Sequence, residues 1–293
     1  MAEARKRRFG DRKDGWRIRT LDPYNALTPY IMKTRNDANN LLSDSADIYE
    51  AERFLREKRV QGYPGMGMLH LFVAAYIRVC AQYPAVNRFV SGQRVYARKN
   101  IEVIMTIKKE MRVDAPETSI KVAFSPEDTI IDVYNKFNEQ IEKVKGEGEA
   151  TNTDDVAKTL MKLPRLILRF AIRFLEFLDY FGLLPKALID ASPFHGSVIV
   201  TDLGSIGLPA IYHHLYNFGN LSVFIALGAK RKVRELRHDG TVIERKIIDY
   251  KVQIDERICD GFYFSQVFRL LNSILRNPTI LEETPEKVVE DIL

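Results

Sequence analysis

"VQIDERICDGFYFSQVFRLLNSILRNP", residues 252–278, reads as the end of a buried strand that turns sharply into an amphipathic helix. The junction carries four charged side chains in six residues: Asp255, Glu256, Arg257 and Asp260. Asp260-Gly261 then supplies a helix cap and a permissive turn. Charges packed where a strand meets a helix must be paired or functional, because burying a lone charge is costly.

Upstream, "GSVIVTDLGSIG" (196–207) is a strand running into a glycine-rich turn. No Lys-Ser/Thr follows these glycines, so a phosphate loop is a weak reading. "LSVFIALGAKRKVREL" (221–236) and "TVIERKIIDYKVQID" (241–255) are long strands joined at Asp239-Gly240, a strong hairpin signal. "NRFVSGQRVYARKNIEVIMTIKKE" (87–110) predicts a hairpin about Ser91-Gly92 and a further strand; "TSIKVAF" (118–124) predicts another. Helices are expected over 27–42 (Thr28 as cap, Pro29 first), after Asp47, and over 65–84, where the apolar residues ring the helix and Pro84 ends it. A helix opening at Ser125-Pro126 keeps a stripe through Ile130, Val133, Phe137 and Ile141. A last helix is expected from Thr284-Pro285. Helices mixed with antiparallel hairpins give one α/β sandwich with a mixed sheet.

The 293 residues are 46% hydrophobic and 28% charged, enough for a large core in a soluble protein. The net charge is +5, with much of the excess in a basic arm over 1–20. Such an arm suits nucleic acid or an acidic membrane; a solvated, partly disordered tail is the favoured reading. Two cysteines, Cys80 and Cys259, form neither a disulfide framework nor a zinc spacing, so a reducing, cytoplasmic setting without a metal is expected. No apolar stretch follows the basic start, so no signal peptide is expected.

The helical insertion, about 146–194, opens with the polar linker "GEGEATNTDD" and continues as "LPRLILRFAIRFLEFLDYFGLLPKAL" (163–188). Its charges argue against a membrane span. They form a narrow polar stripe: Arg165, Arg169, Arg173, Glu176 and Asp179. Three covers fit the apolar remainder: the chain's own core, a neighbouring subunit, or a lipid interface.

The segment 252–278 resembles the active-site segment of the chloramphenicol acetyltransferases and of the dihydrolipoyl acyltransferases of 2-oxoacid dehydrogenase complexes. Those families carry His-x-x-x-Asp-Gly between strand and helix; here the frame reads Glu256-Arg257-Ile258-Cys259-Asp260-Gly261. "GSVIVTDLGSIG" is similar to the family's strand ending in Ser-Asn-Leu-Gly, and "VFIALGAKRK" to the strand after it. The likeness spans roughly residues 22–281 and is specific in the last hundred. It implies a chloramphenicol-acetyltransferase-like domain over 21–293, homotrimers, and a larger closed particle of trimers. It implies acyl transfer from a thioester such as acyl-CoA to a thiol, amine or hydroxyl, with coenzyme A entering as substrate. No lipoyl domain is expected within these 293 residues. By position, Thr201 holds the oxyanion, Asp260 braces the site against Arg35, and Gly204 and Gly261 make its turns.

Glu256 stands where the family has its base. A thiol titrates near 8.5, His near 6.5 and Glu near 4.3, so a glutamate faces a barrier about 3 kcal/mol higher, roughly a hundredfold in rate. His213 and His214 in "IYHHLYNFG" stand as a displaced base or as loop-packing residues; His195 is a weaker pocket candidate. A non-catalytic assembly protein on the same trimer is the competing reading.

Overall fold

The computed structural model describes residues 6–108, 117–146 and 158–291. The linker read over 146–155 lies almost wholly outside them, as do Arg5 and the apolar end Ile292-Leu293. The strands are β1 (Gly15–Arg17), β2 (Asn39–Asp47), β3 (Arg88–Ser91), β4 (Arg94–Arg98), β5 (Ile101–Lys108), β6 (Glu117–Phe124), β7 (Val198–Asp202), β8 (Val223–Leu236) and β9 (Val242–Asp255). The helices are α1 (Pro23–Ile31), α2 (Tyr49–Val60), α3 (Met68–Gln82), α4 (Ile130–Gly146), α5 (Arg165–Tyr180), α6 (Lys186–Ala191) and α7 (Gly261–Arg276).

Six strands form a mixed sheet in the order β2-β9-β8-β7-β5-β6. β7 lies parallel to β5 and β8, and the other pairs are antiparallel. Alternation sends one side chain set of each strand to each face. Val198, Val200, Val223, Ile225, Val252 and Ile254 join α2, α3, α4 and α7 in the main core. Ile104, Ile199, Phe224, Leu215 and Leu221 make a small cluster on the other face. That second face carries the candidate site. The mixed α/β architecture and both hairpins match the sequence reading. Gly92 and Gln93, both at positive φ, turn β3 into β4, and Gly240 at φ +81° turns β8 into β9.

Four expectations need correction. α1 begins at Pro23, not Thr28, because Asp22 accepts from the N–H groups of Tyr24 and Asn25 and Pro23 is pre-set for the first turn. Residues 39–42, read as helix, instead open β2, paired along β9. α4 begins at Ile130 because Thr129 and Asp132 cap each other reciprocally. The tail after Thr284 is extended rather than helical: Val289 donates to the Ala81 carbonyl at 2.8 Å, and Arg88 grips Asp291. It lies against α3 of its own chain.

From Asp11 onward the basic arm packs into the fold rather than forming a solvated tail, whereas residues 6–9 are exposed. Arg12 is only 2% exposed. Its guanidinium donates to Asp14 at 2.9 Å, to Asp179 at 2.6 Å and to Ser91 at 2.9 Å. Asp179, read as part of a polar stripe, is therefore buried at the end of α5 and ties the insertion to the arm. Gly92 closes this junction, since a Cβ there would sit 2.2 Å from the Tyr180 carbonyl oxygen.

Candidate functional site

β9 ends at Asp255, and the backbone N–H of Glu256 donates to the Ala38 carbonyl at 2.9 Å. Asp260 is the N-cap of α7, accepting from the N–H of Tyr263 at 2.8 Å. It is exposed and does not pair with Arg35, contrary to what the resemblance implied. The buried carboxylate is Asp255, held by Arg257 through bonds of 2.7 and 2.6 Å. Arg35 approaches Asp255 only to 4.0 Å; its guanidinium donates instead to the carbonyls of Asn217 at 3.0 Å and Val90 at 2.7 Å. An exposed cap satisfies a helix end, whereas a carboxylate between two buried arginines offsets charge. Burial pulls the Arg35 guanidinium down to about 10, with Asp255 opposing the shift. A cavity of about 220 Å³ lies beside the pair, lined by Arg35, Arg257, Gln93, Glu176 and Asn217 among others.

Thr201 is near the far end of β7, in register with Ala226 of β8, which pairs with Lys251 of β9. Glu256 is five residues beyond Lys251. Two strand spacings and five rises place Thr201 and Glu256 about 20 Å apart within one chain. The two cannot serve one reaction centre in the same copy. The turn after Thr201 is fixed by contact: a Cβ on Gly204 would lie 2.4 Å from the Gly228 carbonyl oxygen, beside the β8 bulge. Asp202 caps this turn, accepting from Ser205 N–H at 3.1 Å, and burial raises its carboxyl. Gly261 meets no such neighbour, and its role is confined to the first helical position.

The histidine pair separates. His213 stacks on Phe224, with ring centroids 4.3 Å apart and planes 12° apart. Phe224 pairs with Ile199 on one side and Gln253 on the other. Thr201 is two residues on from Ile199, hence on the same sheet face and about 7 Å along it. His213 Nε2 and both amide atoms of Gln253 are buried without a hydrogen-bond partner among the described residues. Gln253 is fully buried. Burial, with His214 adjacent, pushes the His213 imidazole below its ordinary value, so it is neutral at pH 7. His214 is exposed and packs edge-on against Tyr216. His195 is interior, between Ser192 Oγ at 2.8 Å and Asp179 at 3.3 Å.

The sequence reading missed Gln253, whose alternation with Val252 and Ile254 was the available signal, and the Asp255–Arg257 pair, two residues apart. A thiol at Cys259 is no nucleophile here, because burial drives it up.

The chain is similar in fold to three kinds of solved structure. A probable dihydrolipoamide acetyltransferase from Listeria monocytogenes is 14% identical, with 88% of this chain and 94% of that chain covered and a TM-score of 0.57. The cubic core of the pyruvate dehydrogenase multienzyme complex is 13% identical, with 93% and 95% covered and a TM-score of 0.58. A chloramphenicol acetyltransferase is 12% identical, with 87% and 96% covered and a TM-score of 0.52. No family model matches the chain, and no curated protein matches it in sequence. At these identities the shared property is the chloramphenicol-acetyltransferase-like fold, over nearly the full length of each partner.

Proposed function

We propose that this protein transfers an acyl group from a thioester such as acyl-CoA to a thiol, amine or hydroxyl acceptor, with His213 in the place of the missing base. The carrying observation is the unpaired, neutral His213 imidazole on the sheet face that bears Thr201. His213 accepts the acceptor's proton as its heteroatom attacks the thioester carbonyl. Thr201 donates to the oxyanion, and the CoA thiolate leaves as the tetrahedral carbon collapses, taking the proton back. Gln253 supplies a further amide on that face. Arg35 and Arg257 hold Asp255 and the chain around it. The working unit is a homotrimer, in which Glu256 of one copy faces the Thr201 face of the next, since the two stand ~20 Å apart within a chain. The extended tail on α3 leaves contacts between trimers to other surfaces of a larger closed particle.

A non-catalytic assembly protein on the same trimer is favoured by one observation: Glu256 replaces the histidine while the frame around it is kept. Incubation with acetyl-CoA and dihydrolipoamide decides between them. Release of free CoA with acetyl-dihydrolipoamide supports transfer. An intact trimer that neither binds acetyl-CoA nor turns it over supports the assembly reading.

A further inference from the structure

The insertion helix α5 leaves its aromatic side uncovered. Leu168, Ala171, Ile172, Leu175 and Leu178 form a half-buried stripe that ends in buried Asp179. A second apolar stripe faces solvent: Leu166 (79% exposed), Phe170 (71%), Phe174, Phe177 and Phe181. Phe170 and Phe174 stack in parallel along it. Beyond the helix the ridge continues to Leu183 and to fully exposed Phe9, which line one groove with Phe181. Large apolar side chains gathered on one exposed face mark an interaction surface.

Cations flank the ridge. Arg165, Arg169 and Arg173 recur every four residues on one edge, all exposed. From Lys158 to Leu175 the sequence holds five cations (Lys158, Lys162, Arg165, Arg169, Arg173) and no acid. Arg165 and Arg169 have no carboxylate partner among the described residues; Arg173 is 4.0 Å from Glu176. Arg7 and Arg8 precede Phe9 in the same way.

A second copy of α5 is a poor cover. Parallel pairing sets arginine against arginine. Antiparallel pairing about Phe174 brings Arg173 toward Glu176, but sets Arg169 opposite Asp179, already buried against Arg12, and Arg165 opposite Leu183. Two arginines per copy would stay without counter-charge. An anionic bilayer covers both features at once: rings enter the acyl boundary, and arginines meet lipid phosphates. Among the described residues no helix is long and apolar enough to cross a membrane, so the geometry is that of a helix lying in the interface plane.

We propose that α5, with Phe9, docks the protein on an anionic lipid surface. The test is flotation of the full chain with phosphatidylcholine vesicles, with and without one quarter phosphatidylglycerol, at about 0.1 M salt. The expected result is binding to the anionic vesicles alone. Phe170→Ser/Phe174→Ser keeps every charge and should still lose most binding. Arg165→Gln/Arg169→Gln/Arg173→Gln keeps every ring and should weaken binding about a hundredfold, at about fivefold per cation. These side chains touch solvent, so unchanged melting curves are expected and confirm that both variants fold. The proposal is overturned if wild type ignores anionic vesicles, or if the Phe variant binds as wild type does, which is plain charge adsorption. It is also overturned if the Phe variant breaks up the oligomer while wild type ignores lipid, which assigns the ridge to a second copy.

Discussion

Arg12→Met should be the most damaging single change outside the hydrophobic core. The guanidinium sits between Asp14, whose side chain is 7% exposed, and buried Asp179, and Phe89 packs 5.6 Å from its centre. Methionine fills much of the volume but strands two carboxylates. Removing one partner of a buried ion pair costs about 3–5 kcal/mol. At about 2–4 °C per kcal/mol for a chain of this size, melting should fall by roughly 10 °C. The pH dependence has a definite sign. Against the cost of burial, Arg12 with Arg98 holds Asp14, and His195 with Arg12 holds Asp179, below the usual carboxylate range, so their contribution is complete above about pH 4 and is lost as pH falls through their depressed values. Without Arg12 the same carboxylates titrate higher, and protonation relieves the variant. The gap between wild type and variant should therefore narrow from pH 7 toward pH 4.5. Urea unfolding followed by Trp16, the single tryptophan and part of β1, reads the arm directly. A loss under about 1 kcal/mol at pH 7, or a gap that does not change with pH, would refute the buried junction.

Asp260→Ala removes the α7 cap and should cost about 1 kcal/mol in urea unfolding, whereas Asp255→Asn should cost several times more, because it leaves Arg35 and Arg257 without their shared carboxylate. The reverse ranking would restore Asp260 as the buried brace. Gly204→Ala must displace the Gly228 carbonyl or the turn after Thr201; a loss of about 1–3 kcal/mol is expected, and a neutral result would show that this contact relaxes freely. With His213 pushed below its ordinary value, transfer should be flat from pH 8 to pH 7 and fall only below about pH 6.5 as the imidazole gains its proton. An acidic limb well above 6.5 would point to another base.

The secondary structure was legible where local chemistry and periodicity agree. Asp239-Gly240 marks the β8–β9 turn, and the all-round apolar run of α3 marks the buried helix. The α1 start was misread because Thr28-Pro29 looks like a cap from sequence, while Asp22-Pro23 does the same work six residues earlier. The tail misled for a tertiary reason: Arg88 and the Ala81 carbonyl hold it extended against its local preference. Arg12 could not be read as buried because its partner Asp179 is 167 residues away. Within the site, the hydroxyl position, the altered base and the histidine pair were visible as residue types. Which carboxylate faces Arg35 was not, because Asp255 and Asp260 flank the same turn and only packing distinguishes them. The membership of His213 in the Thr201 face also depends on the loop returning over β8, which no local pattern encodes.

The most direct measurement is single-turnover transfer from acetyl-CoA to dihydrolipoamide by wild type, His213→Gln, Glu256→Gln and Thr201→Ala. Wild type should transfer, His213→Gln and Thr201→Ala should each lose about a hundredfold or more, and Glu256→Gln should change by less than about tenfold. Activity that survives His213→Gln but collapses with Glu256→Gln would make the glutamate the base, and a folded wild type with no transfer at all would contradict an acyltransferase function.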